Sequence, residues 1–147
     1  MSPGVLAHQQ AVSGGHAYGT GQTDLNFLSV LQYAVQVLKV EHVIVCGHYR
    51  CGGVAASVDG NRHGLIDNWI KAIGDIAEAN EDELNALSGE ERLNRLCELN
   101  VLAQARNVSR TNIIRDAWSG GQDVKIHSWI YGLSNGRLKG LADPLTL

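Results

Sequence analysis

Apolar positions along the chain change period several times, and each change marks an element. Leu28, Leu31, Val35 and Leu38 recur at helical spacing behind Thr23 and Asp24, both suitable N-caps, so a helix is expected from there to about Lys39. Val43 to Cys46 is a short, β-branched apolar run that predicts a buried strand. Cys51 to Val58 reads as a short helix, and Asp59-Gly60-Asn61 as a turn. Leu65, Trp69, Ile73 and Ile76 mark one face of a further helix, which fades into the acidic, solvated stretch Glu78 to Glu83. Ser88-Gly89-Glu90-Glu91 has the form of a capping box before a long helix lined by Leu93, Leu96, Cys97, Val101 and Leu102. Ile113, Ile114 and Trp118 predict another helix, closed by Gly120-Gly121.

Period two takes over at Asp123 to Tyr131. Val124, Ile126, Ser128 and Ile130 fall on one face of a strand, and Lys125, His127, Trp129 and Tyr131 on the other. Ser134-Asn135-Gly136 signals a hairpin into a last strand at Arg137 to Leu141. Strands alternating with helices predict an α/β sheet. Residues 1–22 lack either period. Their glycine-rich part, Ser13 to Gln22, reads as a loop or arm, with Val5 to Val12 as a possible short strand, which leaves residues 23–147 as the folded domain.

Composition narrows the function classes. The chain has 147 residues, 44% hydrophobic and 18% charged, with a formal net charge of -3. That length suits one domain, and the charge offers nothing to nucleic acid or an anionic membrane. No run approaches the roughly 18 consecutive apolar residues of a membrane span. The N-terminus lacks the basic and apolar regions of a signal peptide, and three cysteines do not make a disulfide framework. A reducing cytoplasm is the expected setting.

Candidate chemistry concentrates at Gly47-His48-Tyr49-Arg50-Cys51-Gly52-Gly53, where an apolar strand stops at a glycine. In open α/β sheets the carboxyl ends of strands carry the sites. An imidazole and a thiol three positions apart on such a turn suit zinc, and flanking glycines allow close backbone approach. Against this stands a plainer reading, in which His48 caps a turn and Cys51 is a small buried residue. A phosphate-binding loop is excluded, because Gly53 and Val54 occupy the positions that need Lys and Ser or Thr. Cys46, within the strand, is expected to point into the core, and Cys97 to pack on a helix face. His127 is expected to face solvent or a sheet partner. His8, His16, His42 and His63 lie in loops or at element ends, where no role is required of them. Trp69, Trp118 and Trp129 are too dispersed for a base-stacking platform and read as core or interface anchors.

Four linked segments carry a family resemblance. Leu31-Gln32-Tyr33-Ala34-Val35 runs on through Leu38-Lys39-Val40 into Val43 to Val54. Gly64-Leu65-Ile66-Asp67-Asn68-Trp69 and Cys97-Glu98-Leu99-Asn100-Val101 follow, and then Val124 to Gly132. From about Thr23 to Leu141 the sequence resembles the β-class carbonic anhydrases. The resemblance implies a mostly parallel sheet flanked by helices, reversible hydration of CO2 to bicarbonate and a proton, one Zn2+ held by two cysteines and a histidine, and homodimers or homotetramers. It assigns His48 and Cys51 as metal ligands, and Tyr33 and Gly52 to the substrate pocket. Tyr131 resembles a residue of a regulatory bicarbonate pocket found in some members.

One departure bears on the chemistry. The family's first zinc cysteine lies in an upstream Cys-x-Asp-x-Arg segment, and here no cysteine precedes Cys46. No catalytic Asp/Arg pair is therefore placed, and the family's first strand is expected to be missing or replaced. His16 is the expected substitute for the third ligand. The alternative function is a truncated, catalytically impaired paralogue serving as a non-enzymatic subunit or oligomerisation module.

Overall fold

The computed structural model describes residues 25–147; the glycine-rich arm, the expected strand at Val5 to Val12, the caps Thr23 and Asp24, and His16 lie outside them. Helix α1, Leu25–Gln32, runs directly into a wider π-turn, Tyr33–Val37. There Leu38 N–H reaches back to the Tyr33 carbonyl at 3.0 Å, an i to i+5 bond. The extra residue in that turn shifts the helical phase. Leu31, Ala34 and Val35 are buried as a result, while Leu38 swings outward. Lys39, in the left-handed region at φ 55°, ends the helix where its pattern predicts.

Strand β1, His42–His48, pairs in parallel with β2, Lys125–Gly132, and β2 pairs antiparallel with β3, Arg137–Gly140. The described sheet is thus mixed, in the order β1-β2-β3, and β1 forms one of its edges. Its helices are α2 (Gly52–Ala56), α3 (Ile66–Ala79), α4 (Glu81–Asn85), α5 (Gly89–Ser109) and α6 (Asn112–Ser119). None of the described helices is long and apolar enough to cross a membrane.

Helix α5 organises the core. Its C-terminal half, through Ala105 and Val108, packs with α1, the π-turn, Ile114 of α6, Val124 and Ile126. Its N-terminal half, through Leu96 and Cys97, packs with Val54, Ile70, Ile73, Leu84 and Ile130. A buried amide pair between the halves, Gln104 donating to Asn100 at 3.1 Å, satisfies polar groups that would otherwise be costly there. Gln122 donates to the carbonyls of Val35 and Val40 at 3.1 and 3.3 Å, and so covers acceptors left over at the end of the π-turn.

Three expectations need correction. Val43 to Cys46 is not buried on both sides. Val43, Val45 and Gly47 face the helices, so strand alternation turns His42, Ile44, Cys46 and His48 outward, and Cys46 is exposed rather than in the core. Helix α3 buries Ile70, Ile73 and Ala77, whereas Leu65 and Trp69 lie at the exposed edge of the expected stripe. Ser88 occupies the N-cap of α5, but its side chain makes no capping hydrogen bond.

The tightest approach in the sheet-helix interface is at Gly47, where an added Cβ would stand 2.5 Å from Val101 Cγ2. Replacing Gly47 with Ala overpacks this contact and is expected to destabilise the fold by about 1–3 kcal/mol. Urea denaturation measures the loss, and adding Val101→Ala to Gly47→Ala should recover part of it. A Gly47→Ala protein as stable as the parent would refute the close-approach account.

Candidate metal centre

The turn that follows β1 is fastened residue by residue to one stripe of α5. Gly47 lies against Val101. Tyr49 donates its hydroxyl to Glu98 at 2.5 Å. Arg50 donates through Nε and a terminal nitrogen to Glu90 at 2.9 and 3.3 Å, and its backbone N–H reaches Asn94 Oδ1 at 3.4 Å. Residues 90, 94, 98 and 101 share one face of a helix, so the turn descends α5 in reverse order. On its other side Tyr49 N–H donates to the Tyr131 carbonyl at 3.1 Å, which ties the turn to β2.

Glu98 is the hub of this fastening. It also receives Arg95 at 2.8 Å and stands 3.6 Å from Lys139, while Arg95 reaches on to Glu83 at 2.6 Å. Burial alone would raise the Glu98 carboxyl. The hydrogen bonds from Tyr49 and Arg95 and the nearby cations outweigh that and hold it below the usual carboxylate range. Burial pushes the Tyr49 hydroxyl up to about 12, and the bond to Glu98 adds to the effect.

His48 ends β1 with its ring exposed and Nδ1 2.9 Å from the Tyr49 carbonyl. A carbonyl can only accept, so Nδ1 donates in this contact, and Nε2 is the ring nitrogen left for ligation. Arg50 follows in the left-handed region at φ 56°, unusual for a residue with a Cβ. Cys51 then becomes the N-cap of α2 and is half-buried beside the cluster that contains Cys97. Burial pushes the Cys97 thiol up, in keeping with a neutral core residue.

The other expected site residues are placed differently. Gly52 opens α2, and a Cβ there would meet nothing within 4 Å, so the demand for glycine falls on Gly47 instead. Tyr33 opens the π-turn, is 53% exposed, and belongs to the part of the fold that packs on α6. Tyr131 lies opposite His48 across the β1–β2 ladder. Among the described residues no three His, Cys, Asp or Glu side chains converge as a metal-binding group. The Tyr49–Glu98 and Arg50–Glu90 contacts escaped sequence reasoning. Only the even spacing of polar residues along α5 hinted at them.

On the outer sheet face His42 and His127 meet, with Nδ1 and Nε2 3.0 Å apart. Burial holds the His127 imidazole below its usual range, and His42 and Lys125 add to the shift.

The carbonic anhydrase family profile matches residues 9–138. The carbonic anhydrase of Emericella nidulans is 40% identical over 119 residues, which are 80% of this chain and 52% of that protein. That of Candida albicans is 30% identical over 124 residues, 82% of this chain and 44% of that protein. The chain thus spans about half the length of the curated relatives it matches. Among solved structures, the Coccomyxa β-carbonic anhydrase in complex with acetazolamide superposes with a TM-score of 0.80 at 36% identity, over 84% of this chain and 56% of that one. A tetrameric β-carbonic anhydrase of Sordaria macrospora gives 0.78 at 31% identity, over 92% of this chain and 65% of that one.

Because Glu98 is ionised in the fold with a lowered pKa, its contribution is present above its ordinary value of about 4.3 and lost as pH falls through the folded value. Glu98→Gln is expected to cost about 1.5–3 kcal/mol at pH 7. Its deficit against the parent should hold down to about pH 4 and narrow only as pH falls further. Urea unfolding at a series of pH values checks this, and a deficit independent of pH would contradict the ionised hub.

Proposed function

This chain belongs to the β-class carbonic anhydrases, and from that premise we propose that its protein reversibly hydrates CO2 to bicarbonate and a proton, with zinc held at the turn between β1 and α2. The observation that carries the reading is the His48 ring, whose Nδ1–H is committed to the Tyr49 carbonyl and whose Nε2 is left as a donor three residues from the Cys51 thiol. One imidazole and one thiolate suit zinc in kind. They fall short in number, since a catalytic zinc usually has three protein ligands and the described residues bring together no set of three. Zinc, when bound, would supply the Lewis-acid activation of water that the hydration needs.

The chain's own residues do the positioning. The Tyr49 carbonyl accepts from His48 Nδ1, and Glu98, Asn94 and Glu90 hold the turn from which His48 and Cys51 project. Cys51 is half-buried, beside the cluster on the helix side of the sheet. The family resemblance supports Tyr33 and Gly52 as walls of the CO2 pocket. Similarity to the tetrameric Sordaria macrospora structure supports assembly as a homodimer or homotetramer. Free thiols at Cys46, Cys51 and Cys97 support a reducing, cytoplasmic setting.

A second reading is favoured by the count of donors among the described residues. A protein with two ligands of three would act as a non-enzymatic subunit or oligomerisation module. Zinc analysis of the intact protein, combined with a stopped-flow pH-indicator assay, separates the two. The enzyme reading expects about one zinc per chain and hydration above the buffer rate. Either His48→Ala or Cys51→Ser should lower metal affinity by at least about 100-fold, the upper end of what losing an outer-shell partner costs. Protein without zinc and without rate would leave the module reading standing.

A further inference from the structure

The outer face of the sheet holds a second pair of donors that the proposed reaction does not use. His42 opens β1 and His127 stands near the start of β2. The parallel register sets Lys125 opposite His42 and His127 opposite Ile44, so the two imidazoles meet on the diagonal. Both strands turn these residues to the side away from α5, where His42 is exposed and His127 half-exposed. Ring centroids are 5.1 Å apart with planes inclined at 48°. Trp129 abuts the His127 ring edge-on at 5.5 Å and limits its rotation. Lys125, the nearest cation on β2, is engaged by Asp123 at 3.0 Å.

The separation of the two nitrogens brings both rings within reach of one ion. Metal–imidazole bonds are about 2.0–2.1 Å long. Two cis ligands at the right angle of a square-planar or tetragonal ion therefore lie about 2.9 Å apart, whereas a tetrahedral ion spreads them to about 3.3 Å. The observed 3.0 Å is a hydrogen bond between the two rings, and it keeps both nitrogens within the span that one ion can bridge. We propose that His42 and His127 form a two-imidazole chelate for a tetragonal divalent cation, Cu2+ or Ni2+, on the outer face of the sheet. Water fills the remaining positions. The β1–β2 ladder holds both rings in place before binding, so little ordering is required of the protein when the ion arrives. Cu2+ binds more tightly than Ni2+, and both more tightly than Mn2+ or Co2+, as the Irving–Williams order requires of a nitrogen site.

Trp129 provides the reporter, since a paramagnetic ion on the neighbouring ring quenches its fluorescence. The intact protein is titrated with Cu2+ while tryptophan emission is followed, and the electron paramagnetic resonance of the bound ion is recorded. Saturable quenching with a two-nitrogen spectrum is expected. His42→Ala, at an exposed strand end, should weaken the affinity by at least about tenfold. Trp129→Phe should abolish most of the quenching while leaving the spectrum unchanged. A His48→Ala/Cys51→Ser variant should titrate like the parent, which keeps this result separate from the fate of the zinc reading. Unchanged Cu2+ affinity in His42→Ala, or loss of the signal in His48→Ala/Cys51→Ser, would overturn the proposal.

Discussion

Contact between the end of β1 and helix α5 is the constraint on which the site depends. At Gly47 the strand comes so near Val101 that the methyl group of an alanine would have no room. Such proximity puts the next residues within reach of the helix's polar side chains. Tyr49 meets Glu98, and Arg50 meets Asn94 and Glu90, at points spaced by successive turns of α5. A strand held farther away would leave those side chains in solvent and the turn without a fixed path. Ion pairing at Arg50 is exposed and adds little stability. Its importance is geometric, because it helps to hold a left-handed residue that the backbone would otherwise disfavour.

The alternating pattern from Asp123 to Tyr131 was readable because polar and apolar residues mark its two faces, and Val124, Ile126, Ser128 and Ile130 are indeed the buried set. Val43 to Cys46 offered no such mark. Four apolar residues in succession fit a strand covered on both sides or on one, and the choice is made by α5, which arrives some 50 residues later in the chain. Cys46 was misassigned for that reason. Helix α3 shows the same limit. Two overlapping apolar stripes compete there, and contact with α5 selects Ile70, Ile73 and Ala77 over Leu65 and Trp69. At Ser88 the local motif marks the start of α5, yet the serine side chain makes no capping hydrogen bond. For the site, residue types and spacing mark His48 and Cys51 as candidates, and the ligand assignment itself comes from the family resemblance. The polar stripe of α5 that orients their turn looks like an ordinary solvated helix face until Tyr49 and Arg50 are brought to it.

Strand alternation also divides labour between the two faces of the sheet. Inward positions, Val43, Val45, Gly47, Ile126 and Ile130, serve packing. Outward positions include the metal-capable and aromatic side chains of the two parallel strands: His42, Cys46, His48, His127, Trp129 and Tyr131. Groups that must meet ligands or partners are thereby kept clear of the close-packed core, where any change in volume is felt.

That division raises a geometric problem at the turn, because the chain must go from an exposed strand end to a residue packed beside the core. His48 is the last outward residue of β1, whereas Cys51 packs with the cluster on the helix side. The chain must make that passage within three residues. Continued extended backbone would carry it past the end of the sheet, and an immediate right-handed turn would start the helix before Cys51. A single left-handed residue between them reverses the local path, and Arg50 is that residue. Glycine would adopt this conformation without steric cost. Arginine adds what glycine lacks, a side chain that reaches the first turn of α5 and secures the reversal. The strain at Arg50 and its attachment to Glu90 are thus two parts of one device, which takes the chain from His48 to Cys51 through a single fixed bend.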